Sequence, residues 1–355
     1  MYSRKIEDVP EKLVVNHKPV FGTFKGHPQR LDIRGIFKPY GLFPLPTFIT
    51  NLRIKSRLTF SFDTGEYIGT VRFIDAKIAG FAEVVFWNKA TNQRFAYHAL
   101  TGPRRRFIPH NLEKASTACY KKKRYTKISW DRKKNKFSVM FNLKGDSVRP
   151  SANGTFTADF NSAEFCESTC CCPYPTRRRA NASYTATLPI QGTVILTYPN
   201  GETKDLQTMK GNSLFVLSRI YMKFYSTGEF VSCTGSINGK NISFKISSEI
   251  EGAVCTDKIN RNVLLYDGKV TPLPPVRITH PEGIKEKWVI QDTENMVDLT
   301  FTPLSVNLNK INAFLAKAAY YTVYGTFEGS IMTADGEKIS FKSLSGLSEN
   351  YLIRL

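Results

Sequence analysis

The sequence predicts an all-β protein made of two consecutive antiparallel β-barrel or sandwich domains behind an extended N-terminal arm. Long stretches alternate apolar and polar residues, as strands with one buried face do. One phrase occurs twice, as GSINGKNISFK from Gly235 and as GSIMTADGEKISFK from Gly329. Each copy predicts a hairpin, because Asn-Gly or Asp-Gly stands between two alternating segments. With 355 residues, the chain is long enough for two hydrophobic cores.

Residues 1–50 are expected to form the extended arm, because proline and glycine interrupt any helical pattern there. The first antiparallel domain is predicted over residues 51–165. Its clearest strands lie in RIKSRLTFSFDTGEYIGTVRFIDAKIAGFAEVVFWNKATNQRFAY, where turn residues separate the alternating segments. Further along, KKKRYTKISWDRKKNKFSVMF predicts a hairpin with its tip at DRKKNK.

The segment 166–182, CESTCCCPYPTRRRANA, is predicted to be a loop or junction because it has no hydrophobic period. It holds four of the seven cysteines: Cys166, Cys170, Cys171 and Cys172. A structural zinc site usually needs a second ligand pair or a nearby histidine, and the segment has neither. Reduced thiols in a loop are therefore favoured over a metal site, and we predict no metal and no cofactor.

The second antiparallel domain is predicted over residues 183–355. A looser echo of the repeated phrase begins at Gly192, and we interpret the phrase as a marker of strand turns rather than a ligand site. One short connecting helix is predicted over 304–319, although its asparagines lower the helical propensity. Apolar residues recur there at helical spacing: Leu308, Ile311, Leu315 and Ala318.

The formal net charge of +20 is concentrated in residues 103–136, which hold 13 Lys or Arg against two acids. Such a segment can attract nucleic acid, phosphates or anionic lipid headgroups. We favour the alternative that these cations are solvated faces of strands, because no nucleic-acid-binding motif accompanies them. No transmembrane segment is predicted. The N-terminus lacks the apolar run of a secretory signal, so we expect a cytoplasmic protein.

The sequence contains none of the common catalytic motifs. The sequence has no nucleophile elbow, phosphate-binding loop, zinc-protease helix or dinucleotide fingerprint. Asp292 and Glu294 could form an acid/base set with Arg277 or His280, but a turn between two strands is favoured for them. In TGPRRRF, Arg105 could point inward to an anionic partner, since alternate residues of a strand face opposite sides.

Aromatic residues on the predicted strands give the best indication of a ligand, because a closed barrel of about eight strands can hold one small apolar molecule. Most of these residues are expected to be core, and a subset could line a cavity. No catalytic residue is identified. The candidate ligand-binding residues are Arg105, Trp130, Arg219, Tyr221 and Trp288.

Several motifs, in order and spacing, resemble the domain-of-unknown-function family DUF2804: GEYIGTVRFIDAKIAGFAEVVFWNKATNQ, GSINGKNISFKIS, NVLLYDGKV, WVIQDTENMVDLTFTPL and YGTFEGSIMTADGEKISFKSLSGLSE. The similarity covers residues 50–350. It implies a likeness to the two-domain lipocalin-like proteins, which include carotenoid hydratases and AttH-type proteins and consist of two consecutive β-barrels.

One stretch departs from the family pattern. DUF2804 sequences often carry Asp-Trp-Gly-Arg-Gly just before the segment that corresponds to GSINGK. This chain has LFVLSRIYMKFYSTGEFVSCTG there, with Arg219 near the arginine, Tyr221 and Phe224 in place of aromatics, and neither the Asp nor the Trp. If that Asp does acid/base work in the family, its absence here favours a binding protein, or a divergent subgroup with a different ligand, over an enzyme.

We therefore expect a protein that binds a lipid-like or other apolar or amphipathic small molecule in a barrel cavity or between the two domains. One alternative is a hydratase- or isomerase-type enzyme acting on an apolar substrate. A second is a protein that binds an anionic membrane surface or nucleic acid through residues 103–136. No specific protein partner is predicted.

Overall fold

The computed structural model describes residues 2–41, 45–104, 107–205, 208–248, 258–313 and 316–354. Within these ranges the chain is almost entirely β, as predicted, with one short helix, α1 (Thr47–Leu52). The strands of its first part are β1 (Ile6–Asp8), β2 (Val14–Val15), β3 (Lys18–Pro19), β4 (Gly22–Lys25), β5 (Ile54–Asp63), β6 (Tyr67–Asp75), β7 (Gly80–Asn88), β8 (Arg94–Thr101), β9 (Lys114–Lys121), β10 (Arg124–Asp131), β11 (Lys136–Leu143), β12 (Ser151–Ala158), β13 (Cys166–Pro173), β14 (Ala180–Thr197), β15 (Thr203–Asp205) and β16 (Met209–Tyr221).

The second part of the chain contributes nine strands in the described ranges: β17 (Tyr225–Ile237), β18 (Lys240–Ser247), β19 (Val263–Tyr266), β20 (Lys269–Pro272), β21 (Arg277–Thr279), β22 (Trp288–Gln291), β23 (Val297–Ala313), β24 (Ala316–Met332) and β25 (Lys338–Arg354).

The first sheet is a nearly closed barrel with the strand order β8-β7-β6-β5-β16-β14-β12-β11-β10-β9. Inward-facing aromatic rings fill its interior, and the rings of Phe62 and Phe156 contact each other at a tilt of 37° with centres 4.7 Å apart. Leu13, Leu31 and Ile33 of the arm are buried in the same core. The lumen of this barrel is therefore occupied by side chains of the protein itself.

A polar cluster anchors the arm to the barrel. His27 lies between two carboxylates, with Nδ1 2.8 Å from Glu167 and Nε2 2.9 Å from Glu113. Arg132 and the Tyr184 hydroxyl donate to the other Glu167 oxygen, at 2.7 Å and 2.5 Å. These contacts hold the arm against β13 and β14. The arm is extended, as expected, and it is packed against the barrel.

The second sheet is a half-barrel with the order β20-β19-β18-β17-β25-β24-β23-β22-β21. Both copies of the repeated phrase form hairpins, as predicted. The first joins β17 to β18 through Asn238 and Gly239, whose φ angles of 51° and 78° suit a two-residue turn. The second joins β24 to β25, where Gly336 has a φ angle of 84°.

The helix predicted over 304–319 is wrong. Its described residues belong to β23 and β24, which pair antiparallel. Asn307 and Asn309 lie two residues apart, and both side chains donate to one oxygen of Glu83, at 3.3 Å and 3.2 Å. Side chains two positions apart share a face only in a strand. The helical spacing of the apolar residues was coincidental.

The loop or junction predicted for residues 166–182 is also wrong over most of its length, because Cys166–Pro173 forms β13 between β4 and β14, and β14 itself begins at Ala180. Both faces of β13 are covered: Cys171 packs in the barrel core, and Cys166 packs against Val263 and Leu265 of the second sheet. A strand buried on both faces has no alternation to detect. Residues 183–221, predicted to lie in the second domain, pair in the first sheet through β14 and β16.

Across the part of the chain that is described, no helix is long and apolar enough to cross a membrane.

Candidate functional site

The two sheets pack face to face, and the contact uses the outer side of the barrel. Strands β5, β6, β7 and β16 turn this side toward β17, β18, β24 and β25. Trp87 and Tyr324 meet across the interface with ring centres 5.9 Å apart, inside an apolar cluster with Ile68, Val85 and Leu347. Elsewhere, Thr187 and Ser243 join the sheets with hydroxyl oxygens 3.0 Å apart.

A cavity of about 460 Å³ lies between these layers. Most of its wall is apolar, with Ile74, Leu214, Val216, Ile220, Met222, Phe81, Phe230 and Ile353 among the lining residues. Ile78 and Leu100 also line it and are 53% and 55% exposed, so the cavity reaches the surface beside the β6–β7 turn. A pocket of this size and character suits a small molecule with a large apolar part.

A network of buried charges forms one part of the cavity wall and the layer behind it. Glu349, on β25, accepts from Arg57 at 2.5 Å and from Arg72 at 2.7 Å. Arg72, on β6, also pairs with Glu83 at 3.1 Å. The Arg72 side chain is wholly buried and that of Glu349 is only 3% exposed. Both oxygens of Glu349 are thus already used as acceptors.

Burial acts to lower the pKa of Arg72, but the carboxylates of Glu349 and Glu83 outweigh it and raise that pKa. Burial, together with the charge of Arg72, lowers the pKa of Arg57, and Glu349 offsets this only in part. The two arginines remain cations under all ordinary conditions. The network therefore holds two positive charges against two carboxylates and is balanced.

Three further cations line the cavity outside this network. The ammonium of Lys55, on β5, donates to the backbone carbonyls of Leu52 at 2.9 Å and Ala76 at 2.6 Å. Lys245 comes from β18, and Arg261 lies two residues before β19. Neither forms a hydrogen bond or ion pair with another described residue, and the Lys245 ammonium lies 5.7 Å from the Phe230 ring centre. Burial, together with the charges of Arg261 and Arg57, holds the pKa of Lys245 well below its usual value.

Two tyrosines, Tyr320 and Tyr351, also line the cavity, with stacked rings 5.9 Å apart. Burial raises the pKa of both hydroxyls. They stay protonated at neutral pH and can donate hydrogen bonds to a bound molecule.

The candidate residues from the sequence lie elsewhere. Arg105 is outside the described residues. Trp130 is buried in the barrel core against Phe215. Arg219 donates to the hydroxyl of Ser56 at 2.6 Å and to the carbonyl of Pro109 at 2.7 Å.

The other two candidates are also buried. Tyr221 donates to the Ile33 carbonyl at 3.3 Å, and Trp288 donates to the Ile284 carbonyl at 3.0 Å within the second core. None of the four described candidates lines the cavity between the sheets. Ligand binding by these residues stays a prediction.

The carboxylates Asp292 and Glu294 lie in the turn between β22 and β23, the interpretation favoured from the sequence over an acid/base set. Asp292 accepts the backbone N–H groups of Glu294 at 2.8 Å and Val297 at 2.7 Å. His280 contacts Glu229 instead, at 2.6 Å. Within the described ranges, no group of three or more His, Cys, Asp or Glu side chains is placed to hold a metal ion.

The basic segment 103–136 forms β9, β10 and the start of β11, and most of its described cations are solvated. Seven of its lysines are exposed: Lys114, Lys121, Lys122, Lys123, Lys133, Lys134 and Lys136. Arg124, Lys127 and Arg132 are half-buried, and Arg132 pairs with Glu167. Binding of an anionic surface through this segment stays a prediction.

Sequence reasoning missed Glu349, Arg57, Lys245 and Arg261. Lys245 is the last residue of the first repeated phrase, so the interpretation of that phrase as a turn marker alone is incomplete. One signal was available: Arg57, Lys245 and Glu349 are charged residues within alternating strands. Alternation assigned them to an outer face, but it could not show that another sheet covers that face.

Comparison with known proteins assigns the sequence to a family and finds distant structural similarities. The sequence matches the family described as domain of unknown function DUF2804 over residues 46–355. Among curated proteins, no match is found. The crystal structure of CghA is similar with 12% identity and a TM-score of 0.48, over 94% of this chain and 98% of the other.

Two further solved structures are similar at the same level. An AttH protein from Nitrosomonas europaea has 10% identity and a TM-score of 0.48, over 88% of this chain and 97% of the other. Kievitone hydratase from Nectria haematococca has 10% identity and a TM-score of 0.45, over 84% and 88%. At such identities and scores, these similarities indicate nothing about the activity of this chain. The family match is different in kind, because it spans most of the sequence: the chain belongs to the DUF2804 family.

Proposed function

We propose that the protein binds a small molecule with a large apolar part in the cavity between its two sheets. The observation that carries this proposal is the cavity itself, with its volume of about 460 Å³ and a wall that is mostly apolar. Small-molecule sites usually have volumes of roughly 300–1,000 Å³ and apolar linings with a few polar groups.

The position between the domains is supported by the packing of the barrel. Aromatic side chains and the arm fill the barrel interior, where lipocalin-like proteins could otherwise hold a ligand. The cavity, in contrast, opens beside Ile78 and Leu100. A ligand can enter there without displacing the core.

The experiment is a titration of the purified, delipidated protein with a fluorescent long-chain probe, together with native mass spectrometry before delipidation. Ser218 lines the cavity, and Ser218→Phe would fill part of it. We expect saturable binding by the wild type and loss of binding by this variant. Ser116→Phe, at an exposed position of β9, is the matched control. Absence of saturable binding, or equal binding by Ser218→Phe, would contradict the proposal.

A second candidate function is a hydratase or isomerase acting in the same cavity. It is favoured by one observation: a buried carboxylate, Glu349, lines the cavity together with the donors Tyr320 and Tyr351. Two guanidinium groups already occupy the Glu349 oxygens, which leaves this carboxylate poorly placed to abstract a proton. Binding is therefore the leading proposal.

The two functions differ in what happens to the bound molecule. An enzyme of this type would change the mass of an unsaturated ligand by one water, or rearrange it at constant mass. Extraction and mass spectrometry with chromatographic separation after incubation distinguish both outcomes from simple binding.

A further inference from the structure

The cavity carries an excess of positive charge that its own residues do not neutralise. Arg57 and Arg72 are balanced by Glu83 and Glu349. Lys55, Lys245 and Arg261 are additional. The Lys55 ammonium donates to the carbonyls of Leu52 and Ala76, whereas Lys245 and Arg261 form no hydrogen bond or ion pair with a described residue. Both residues are half-buried, and an ammonium or guanidinium that has lost part of its hydration is stabilised by a neighbouring anion.

From this excess, which rests on the proposed binding function, we infer that the ligand is an amphipathic acid whose carboxylate or phosphate binds Lys245 and Arg261. The cavity supplies both halves of the recognition. The two cations hold the anionic group, and the apolar wall accepts the rest of the molecule.

The arrangement of the strands fixes the orientation of the ligand. Lys245 and Arg261 lie on the β18–β19 side of the cavity, opposite β14 and β16. The exposed lining residues Ile78 and Leu100 lie beside the β6–β7 turn and on β8, at the far edge of the same barrel face. The anionic group therefore lies at the inner end, and the apolar chain extends toward the opening past Ile74 and Met222.

Two of the three charged groups that face Lys245 favour a bound anion. Arg57 on β5 and Arg261 before β19 repel the ammonium, and Glu349 on β25 attracts it, but Glu349 is shared between two arginines. Cys170 on β13 is the other titratable neighbour. An anion placed between Lys245 and Arg261 relieves this repulsion and raises the proton affinity of Lys245.

The test compares probes that share one apolar chain and differ in the head group: dodecanoate, dodecyl phosphate and dodecanol. Acetate and inorganic phosphate are the chain-free probes. Calorimetric titrations use the full chain as wild type, Lys245→Met, Arg261→Met and the double variant. Lys133→Met, at an exposed lysine of the β10–β11 hairpin, is the matched control. Thermal unfolding of each variant verifies that it is folded.

We expect the wild type and the control to prefer dodecanoate or dodecyl phosphate over dodecanol by at least about tenfold. We expect the double variant to lose that preference while still binding dodecanol.

Equal affinity for dodecanol and dodecanoate in the wild type would overturn the inference and leave the proposed function standing. A preference that survives in the double variant would also overturn it, because the anionic group would then bind elsewhere. If inorganic phosphate bound as tightly as dodecyl phosphate, the anion site would stand and the proposed apolar recognition would fail. Binding of none of the probes would overturn both.

Discussion

Arg72 and Glu349 come from opposite sheets and form an ion pair of 2.7 Å between two almost completely buried side chains. The pair joins the outer face of the barrel to the half-barrel, and Glu83 and Arg57 complete it on either side. An ion pair in this position does little for net stability by itself, because both charges lose their hydration. Its effect is to make one relative placement of the two sheets far more favourable than others.

Removing Arg72 should be strongly destabilising. Arg72→Met leaves the carboxylates of Glu83 and Glu349 buried with less compensation, and breaking a buried pair in this way costs about 3–5 kcal/mol. Urea unfolding measures the loss. Lys269→Met, which breaks the exposed pair with Asp335, is the control and should cost less than about 1 kcal/mol. Equal losses for the two variants would contradict the buried role of Arg72.

Replacing Lys245 should stabilise the ligand-free protein in a pH-dependent way. Its pKa is lowered on folding, so between the folded value and 10.5 the unfolded chain binds more protons and wild-type stability rises with pH. Lys245→Met removes this dependence. We expect Lys245→Met to exceed the wild type in free energy of unfolding by more at about pH 7 than at about pH 10. The comparison uses urea midpoints at both pH values.

The same comparison for exposed Lys133→Met should show no such difference between the two pH values. A Lys245→Met gain that is equal at both would mean that the ammonium is not destabilised in the folded protein.

His27 should stabilise the protein at acidic pH. Burial acts to lower its pKa, but the hydrogen bonds and charges of Glu167 and Glu113 outweigh it and raise the pKa above 6.5. The resulting stabilisation is fully present below that unfolded-state value and is lost as the pH rises through the folded-state pKa. The free energy of unfolding of His27→Gln should therefore fall further below that of the wild type at about pH 6 than at about pH 9.

Unfolding curves at the two pH values measure this effect, with His98→Gln at an exposed position as the control. A loss for His27→Gln that grows with pH would have the wrong sign and would contradict the role of the two carboxylates.

Arg219 should prove structural. Its guanidinium contacts Ser56 and the carbonyls of Ile108 and Pro109, and it does not line the cavity. Arg219→Met should lower the melting temperature without changing the affinity for a long-chain probe by more than about twofold. A large loss of affinity in a folded Arg219→Met variant would restore this arginine as a binding residue.

The sequence predicts strands and hairpins well where one face of a strand is exposed to solvent. The turns at Asn238 and Gly336 carry local chemistry that fixes their shape, and alternation fixes which side chains point inward. Prediction from alternation fails where both faces of a strand are covered, as in β13. It also fails in β23, where Asn307 and Asn309 serve a buried carboxylate that is more than 200 positions away.

The site was harder to predict than the fold for the same reason. Lys245 and Glu349 look like ordinary outward-facing charges in strands of the second sheet, and only the packing of the barrel against that sheet turns their shared face into a cavity wall. The conspicuous residues, such as Trp130 and Trp288, fill the two cores. Conspicuous aromatic residues therefore indicated packing, and inconspicuous charges on outer faces formed the cavity.

The cavity wall is drawn from outward-facing positions of strands whose inward-facing neighbours build the two cores. Substitutions such as those at Ser218, Phe230 or Ser232 can reshape the cavity while the alternate residues that hold each core stay unchanged. Stability and ligand preference are thus encoded on opposite faces of the same strands. Members of the family could diverge in what they bind while keeping an identical scaffold, and a protein engineer could exploit the same separation.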